Sequence, residues 1–295
     1  MSCRVDSNFP FARLALIGVG YIGGSAALAA RRAGLVGSVT GYDLDPQAGP
    51  LARTLGVVDE MAETAEEAAA GASLVLLAAP VQSLADLVRR IAERLEPTAT
   101  VIDVGSVKQP VVLEAEVALP GGRFVGCHPM AGAEHTGVGA ADPGIFAGRV
   151  CFVCATAHAN VEATENATRF WQGLGCQVVS IEPSLHDRLM AAVSHLPHVA
   201  AFALAASLSD ALPLIESNAM LGRPTTSLRD TIRIAASSPQ VWRDILLANR
   251  DHLLPLVREL EQRVSTIGAA MAAGDAPALE AALALGQACR KRLVK

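Results

Sequence analysis

No long block of basic residues occurs in the sequence, and the formal net charge is −5. The electrostatic footprint of a nucleic-acid-binding protein is therefore missing, although net charge says nothing about a local cationic pocket. No cysteine framework is present either. The six cysteines stand at positions 3, 127, 151, 154, 176 and 289 without regular spacing, which fits a reducing cytosol better than a disulfide-stapled domain. The one close pair, Cys151 and Cys154, lies in a run (149–155) that reads as a strand. Positions three apart on a strand point to opposite faces, so the pair is a poor chelate and no metal site is expected. The first ten residues carry Asp6 and Asn8 and no apolar core; no signal peptide and a cytoplasmic location are expected. The charge-free stretch 14–30 contains a Gly20-xxx-Gly24 spacing, which also occurs in packed membrane helices. It is shorter than the about 20 apolar residues a span needs, so no membrane partner is expected.

What is present is a globular composition: 51% apolar and 18% charged residues over 295 positions, enough for two domains of ordinary size. Up to about residue 180, short β-branched runs (14–18, 38–43, 73–78, 100–104, 123–127, 149–153, 177–181) alternate with helix-like segments (22–33, 47–55, 81–95, 109–117, 161–174). Such alternation predicts parallel strands with crossover helices, a doubly wound α/β sheet. After Glu182-Pro183 no convincing strand appears. Ala/Leu-rich stretches dominate, broken at Pro213, at Gly222-Arg223-Pro224 and at Ser238-Pro239. The expected organisation is an α/β domain over 1–182 and an all-helical domain over 183–295. The apolar faces of the second are too extensive for about 110 residues alone, which predicts a second copy packed against it. The chain ends soon after the last helix, so no appended ligand-sensing domain is expected.

The strand Leu14-Ala15-Leu16-Ile17 runs into Gly18-Val19-Gly20-Tyr21-Ile22-Gly23, and a helix follows. This is G-x-G-x-x-G in the setting that gives it meaning. The first glycine permits the turn, the second lets the backbone approach a pyrophosphate, and the third lets helix pack on sheet. The helix N-terminus offers free N–H groups to phosphates. Asp43 ends the next strand, 20 residues past Gly23. A carboxylate there accepts both ribose hydroxyls of NAD and repels the 2′-phosphate of NADP. The fold class is thus a Rossmann-type dinucleotide-binding domain followed by an all-α domain, with NAD favoured over NADP. Tyr21 and Ile22, within the loop, and Ala79 and Pro80, after a later strand, are expected to line the cofactor site.

Further polar clusters follow strand ends or lie in the helical half: Asp103-Val104-Gly105-Ser106-Val107-Lys108, Gly126-Cys127-His128-Pro129-Met130-Ala131-Gly132-Ala133-Glu134, Ser194-His195-Leu196-Pro197-His198, Arg229-Asp230-Thr231-Ile232-Arg233-Ile234-Ala235, and Trp242-Arg243-Asp244-Ile245 with Asn249. Singly, each has a structural explanation: Ser106 as a helix cap, Asp103 as a turn residue, His195 and His198 as one face of a kinked core helix. In this order they resemble the prephenate and arogenate dehydrogenases, over about residues 11–260. H-P-M-A-G and S-H-L-P-H are the specific motifs; the glycine loop is shared with many dehydrogenases.

The resemblance implies oxidation of prephenate, or of its amino counterpart arogenate, with release of CO2 and formation of an aromatic ring in tyrosine biosynthesis. It implies that His128 accepts the proton of the ring hydroxyl, that Ser106 holds that hydroxyl, and that Arg233 binds the ring carboxylate. It places His195 and His198 near the substrate side chain, Asp103 and Ser106 beside the cofactor, and Trp242, from the helical half or a partner subunit, over the pocket. It also implies a homodimer. An imidazole, with an ordinary pKa of about 6.5, suits base catalysis near neutrality, and a guanidinium matches a carboxylate and stays charged when desolvated. The sequence departs from several relatives at Ala133, where they carry Thr or Ser. With Glu134 beside it, this leaves the choice between keto and amino side chains open. Two other classes compete. Dehydrogenases of β-hydroxy acids rely on a lysine in the helical half, which has none here before Lys291. A non-catalytic NAD-binding sensor has no need of Ser106, His128, His198 and Arg233 together.

Overall fold

The computed structural model describes residues 9–132, 135–212 and 225–294. Eight strands run β1 (Phe11–Ile17), β2 (Val36–Tyr42), β3 (Glu60–Met61), β4 (Leu74–Leu77), β5 (Thr100–Asp103), β6 (Phe124–Pro129), β7 (Val150–Cys154) and β8 (Gln177–Ser180). The described helices are α1 (Tyr21–Arg32), α2 (Ala48–Thr54), α3 (Ala65–Ala69), α4 (Val81–Ile91), α5 (Gln109–Ala118), α6 (Val161–Gly173), α7 (Pro183–Met190), α8 (Leu196–Ser207), α9 (Thr226–Ile232), α10 (Pro239–Ala248), α11 (Arg250–Ala273) and α12 (Ala276–Leu293). The chain forms two compact units. One takes the chain up to Met190 together with Ala236–Ala248; the other takes Ala191–Ala235 and the chain from Asn249 onward.

All eight strands form one sheet in the first unit, ordered β3-β2-β1-β4-β5-β6-β7-β8. Side chains alternate between its faces. Leu14, Leu16, Leu76, Ile102 and Val125 pack on one side with Phe170 and Trp171 of α6. Ala15, Ile17, Val75, Leu77 and Val101 pack on the other with Leu84 and Val88 of α4 and Val112 of α5. Because helices cover both faces, Leu74–Leu77 is apolar throughout and fully buried, as a central parallel strand requires.

Three features correct the sequence-based expectation. First, β7 runs antiparallel to β6, with His128 opposite Phe152. A parallel return needs a crossover of a dozen or more residues, usually a helix, and the described part of the 130–149 connection holds only the short 3-10 turn Val138–Ala140. Second, the two-residue β3 and the five-residue α3 are too short to show periodicity; the local sign of α3 is the Thr64-x-x-Glu67 spacing, with Thr64 accepting the Glu67 N–H at its N-cap. Third, α10 belongs to the first unit although it lies in the helical half: Ile245 is buried in the α4/α5 core, with Trp242 and Ala248 packed against it.

No strand follows β8 among the described residues. The helical run Pro183–Ser207 contains an 18-residue window with a mean hydropathy of 1.6 and is long and apolar enough to cross a membrane by length and composition. Its α7 part turns Pro183, His186, Asp187 and Met190 inward, an i, i+3, i+4, i+7 stripe that includes two polar residues. A π-helical turn, Ala191–His195, precedes α8. Pro197 lacks the N–H for the helical bond to residue 193 and its ring crowds that carbonyl, so the wider turn accommodates it. The long helices of the second unit bury little of their apolar surface: Ala201 on α8, Leu253 and Ala270 on α11, and nothing on α12. Leu204, Leu254, Val264, Met271, Leu283 and Leu285 are exposed.

Candidate active site

The loops after β1, β4, β5 and β6 leave the sheet at the carboxyl ends of its parallel strands, where open α/β sheets bind ligands. The three glycines of the first loop serve three separate needs. Gly18 has φ +97°, and a Cβ there would stand 2.3 Å from the Ala78 carbonyl oxygen. A Cβ on Gly23 would stand 2.3 Å from the Gly18 carbonyl oxygen and 2.8 Å from Ala78 Cβ. These two are glycine because backbone passes over backbone. Gly20 is different: it caps α1 with φ −96°, and a Cβ there meets nothing within 4 Å. Only an incoming group would use that space, and the first turn of α1 points its N–H groups there. Asp43 Oδ2 accepts the Val19 N–H at 2.7 Å, and Oδ1 accepts the Asp45 N–H at 2.8 Å. Each oxygen has a second lone pair, so the carboxylate braces the glycine loop and keeps acceptor capacity for a ribose. The loop and its acidic partner fit a dinucleotide.

A cavity of about 620 Å³ brings several of the expected residues together. Gly20, Tyr21, Ile22 and Gly23 line it with Ala79, Pro80, Ser106 and Trp242. Gly132, His135, Val241 and Asp244 contribute as well. Tyr21 meets His135 edge-on, ring centroids 6.0 Å apart. Trp242, in the helical half of the sequence, reaches this cavity from α10, which packs with the unit that carries the glycine loop. Ser106 does not cap α5, whose N-cap is Lys108. Asp43 and His128 stand outside this lining. Ala133 and Glu134 lie outside the described residues.

Asp103, expected beside the cofactor, is instead an interior group. Its side chain is fully buried. Oδ1 accepts the Cys127 N–H at 2.8 Å, Oδ2 accepts the Gly105 N–H at 2.9 Å, and Oδ2 also pairs closely with Lys108 Nζ. Lys108, likewise fully buried, donates at 3.0 Å to the Cys127 carbonyl as well. The ion pair therefore grips both polar backbone atoms of the residue before His128. Burial first, and then the Asp103 charge, push the Cys127 thiol well up. Burial pushes Cys154 up to about 12, against the opposing pull of the Lys108 ammonium.

His128 is 8% exposed. Its Nδ1 stands 2.9 Å from His186 Nε2, a contact absent from the sequence-based expectation. His186 and Asp187 are buried on α7. The available signal was the helical stripe from Pro183, on which an adjacent His and Asp occupy core positions. Gly126, on the same face of β6 as His128, lets α5 approach: a Cβ there would lie 2.7 Å from Val112 Cγ2.

The remaining predicted residues belong to the second unit. His195, at the end of the π-helical turn, is 1% exposed, and its Nδ1 lies 3.0 Å from the buried Asn249 amide. His198 Nδ1 lies 2.9 Å from the Ser194 carbonyl. A carbonyl only accepts, so Nδ1 carries the proton and Nε2 is left as the acceptor. Burial holds the His198 pKa below the ordinary histidine range; the bond to Ser194 opposes this and the Arg233 charge adds to it. Arg233 opens a 3-10 turn after α9 and is exposed. Among the described residues no group of three or more His, Cys, Asp or Glu could hold a metal ion.

A sheet in this order with this loop defines a dinucleotide-binding oxidoreductase fold. Comparison with known proteins narrows the class. The model of the prephenate dehydrogenase nucleotide-binding domain matches residues 26–180, and that of the prephenate dehydrogenase dimerization domain matches residues 182–285. The chain belongs to the prephenate dehydrogenase family, as the motifs implied. It is 33% identical over 257 residues to prephenate dehydrogenase of Bacillus subtilis, covering 85% of this chain and 68% of that protein. It is 31% identical over 270 residues to cyclohexadienyl dehydrogenase of Zymomonas mobilis, covering 90% of each. The crystal structure of the A. aeolicus prephenate dehydrogenase, in complex with hydroxyphenyl propionate and NAD+, superposes with a TM-score of 0.83 at 30% identity, covering 96% of this chain and 98% of that one.

Proposed function

We propose that the chain is an NAD-dependent prephenate dehydrogenase of tyrosine biosynthesis, converting prephenate to 4-hydroxyphenylpyruvate and CO2. The observation that carries this reading is the convergence at the sheet's carboxyl edge of an open glycine loop, a serine in the same cavity and an oriented histidine at the end of β6. NAD+, when bound, accepts the hydride that leaves the ring carbinol carbon. Gly20 and the first turn of α1 hold the pyrophosphate, and Asp43 accepts the ribose hydroxyls while its charge disfavours a 2′-phosphate. Ser106 holds the ring hydroxyl, and His128 takes its proton as the C–H bond breaks. Loss of the ring carboxylate as CO2 then delivers the electron pair that completes the aromatic ring. Arg233 binds that carboxylate, His195 and His198 meet the side chain, and Trp242 closes the pocket. The exposed apolar side chains of the second unit and its match to a dimerization domain support a homodimer paired through the helical half.

A second reading, dual use of arogenate, is favoured by the equal-length likeness to the Zymomonas cyclohexadienyl dehydrogenase. Initial rates of NAD(P)H formation, with prephenate or arogenate and with NAD+ or NADP+, separate the readings. The expected result is turnover of prephenate with NAD+. No turnover in any mixture, with NAD+ still bound, overturns the substrate assignment. In the productive mixture, His128→Asn is expected to lower kcat by about 10²–10⁴, the usual size of general-base catalysis; unchanged turnover removes His128 from that role.

A further inference from the structure

Behind His128 stands a buried chain of hydrogen bonds whose other members, His186 and Asp187, lie outside the sequence motifs described above. His186 Nε2 lies 2.9 Å from His128 Nδ1, and His186 Nδ1 lies 2.7 Å from Asp187 Oδ1. The Asp187 carboxylate is itself fixed: Oδ1 accepts the Lys108 N–H and Oδ2 the Gln109 N–H, each at 2.8 Å, at the start of α5. The side chains of His186 and Asp187 are 0% and 1% exposed. The His186 ring is wedged edge-on between His128, with centroids 5.1 Å apart, and Phe152, at 5.4 Å.

These contacts dictate where the protons sit. A carboxylate oxygen only accepts, so His186 Nδ1 carries a proton. A neutral His186 then presents a lone pair at Nε2, and the contact with His128 requires the proton on His128 Nδ1. The lone pair of His128 is thereby left on Nε2. We propose that His186 and Asp187 are positioning residues that hold His128 in the Nδ1–H tautomer, so that Nε2 is the proton acceptor, and that spread the positive charge once Nε2 is protonated. When Nε2 gains the substrate's hydroxyl proton, the His128 Nδ1 proton is shared along the bond to His186, whose other nitrogen faces the Asp187 carboxylate. One proton enters the trio and none leaves it during the step. A carboxylate that orients an imidazole and stabilises its cation without itself being protonated is the logic of hydrolase triads; here a second imidazole is interposed. The charge-stabilising half of the proposal rests on His128 being the base; the tautomer half does not.

The test is long-range 15N–1H NMR of the full-length protein with 15N-labelled histidine near neutral pH, the His128 signals being identified by their loss in His128→Asn. The expected result is a protonated Nδ1 and a bare Nε2 at His128, with that preference lost in His186→Leu. His186→Leu is also expected to lower kcat by about 10–10³, below the general-base ceiling, with KM within about threefold. His186→Gln, whose amide oxygen can still accept, is expected to recover part of the loss. A His128 found as the Nε2–H tautomer in the unsubstituted protein overturns the proposal and needs no variant to fold. So does a His186→Leu protein that keeps both the tautomer and kcat. If His128→Asn itself retains turnover, the base assignment fails while the tautomer measurement still reports on the His186 contact.

Discussion

Removing the Lys108 ammonium tests the interior of the first unit most directly. Lys108→Met leaves the Asp103 carboxylate in a fully buried place with only the Gly105 and Cys127 N–H groups, and it strips the Cys127 carbonyl of its Lys108 donor. Breaking a buried pair from one side costs about 3–5 kcal/mol, because the partner charge stays buried. The double variant Asp103→Asn/Lys108→Met removes both charges, and the new amide oxygen still accepts one of the two N–H groups. What remains is about one or two unsatisfied polar groups, worth roughly 1–3 kcal/mol. The double variant is therefore expected to be more stable than Lys108→Met alone. Trp171 is fully buried in this unit, so its fluorescence in a Trp242→Phe background follows urea unfolding. At about 2 kcal/mol per molar urea, the single variant shifts the midpoint down by about 1.5–2.5 M. A shift under about 0.5 M, or a double variant less stable than the single, refutes the reasoning.

Two other outcomes follow from geometry already described. Gly20→Ala adds a methyl to open space at an ordinary φ, so thermal stability is expected to hold while the Kd for NAD+ rises by roughly 5- to 150-fold, the equivalent of about 1–3 kcal/mol of overpacking against the ligand. Gly18→Ala meets the Ala78 carbonyl at φ +97° and is expected to cost about 2–6 kcal/mol of stability; calorimetry and NAD+ titration of the pair check whether folding and binding separate this way. The depressed pKa of His198 means that the unfolded chain binds its proton first as pH falls. Stability from this residue is present above the unfolded value of about 6.5 and declines as pH drops through the lower folded value. Urea midpoints of His198→Gln are expected to lose that part of the pH dependence; identical pH profiles for both proteins would refute it.

The sheet was legible because its central strands are short, unbroken apolar runs and because the longer crossover helices, such as α4 and α6, repeat their apolar residues at helical spacing. The glycine loop and Asp43 were legible because their function demands particular residues at fixed offsets. What escaped notice depends on contacts between distant segments. Nothing local to Asp103 says that Lys108 will fold back on it in the interior. Nothing near Ile245 tells that α10 will leave the helical half and fill the α4/α5 core. The reversed β7 could have been anticipated from the lack of a helix-like segment between 130 and 149. His186 and Asp187 were overlooked because two polar neighbours on a helix usually face water, and only the apolar positions around them reveal the inward face.

That return of α10 has a consequence for biogenesis. During translation the nucleotide-binding sheet can assemble once β8 has emerged, but the slot for Ile245 stays empty and the cavity lacks the wall supplied by Val241 and Trp242 until the ribosome has passed Ala248. With 248 of 295 residues made, the nascent chain must keep that apolar slot from wrong partners while the whole intervening segment is synthesised. A cofactor pocket finished this late lacks one wall on the ribosome until the Ala191–Ala235 part of the second unit has already emerged.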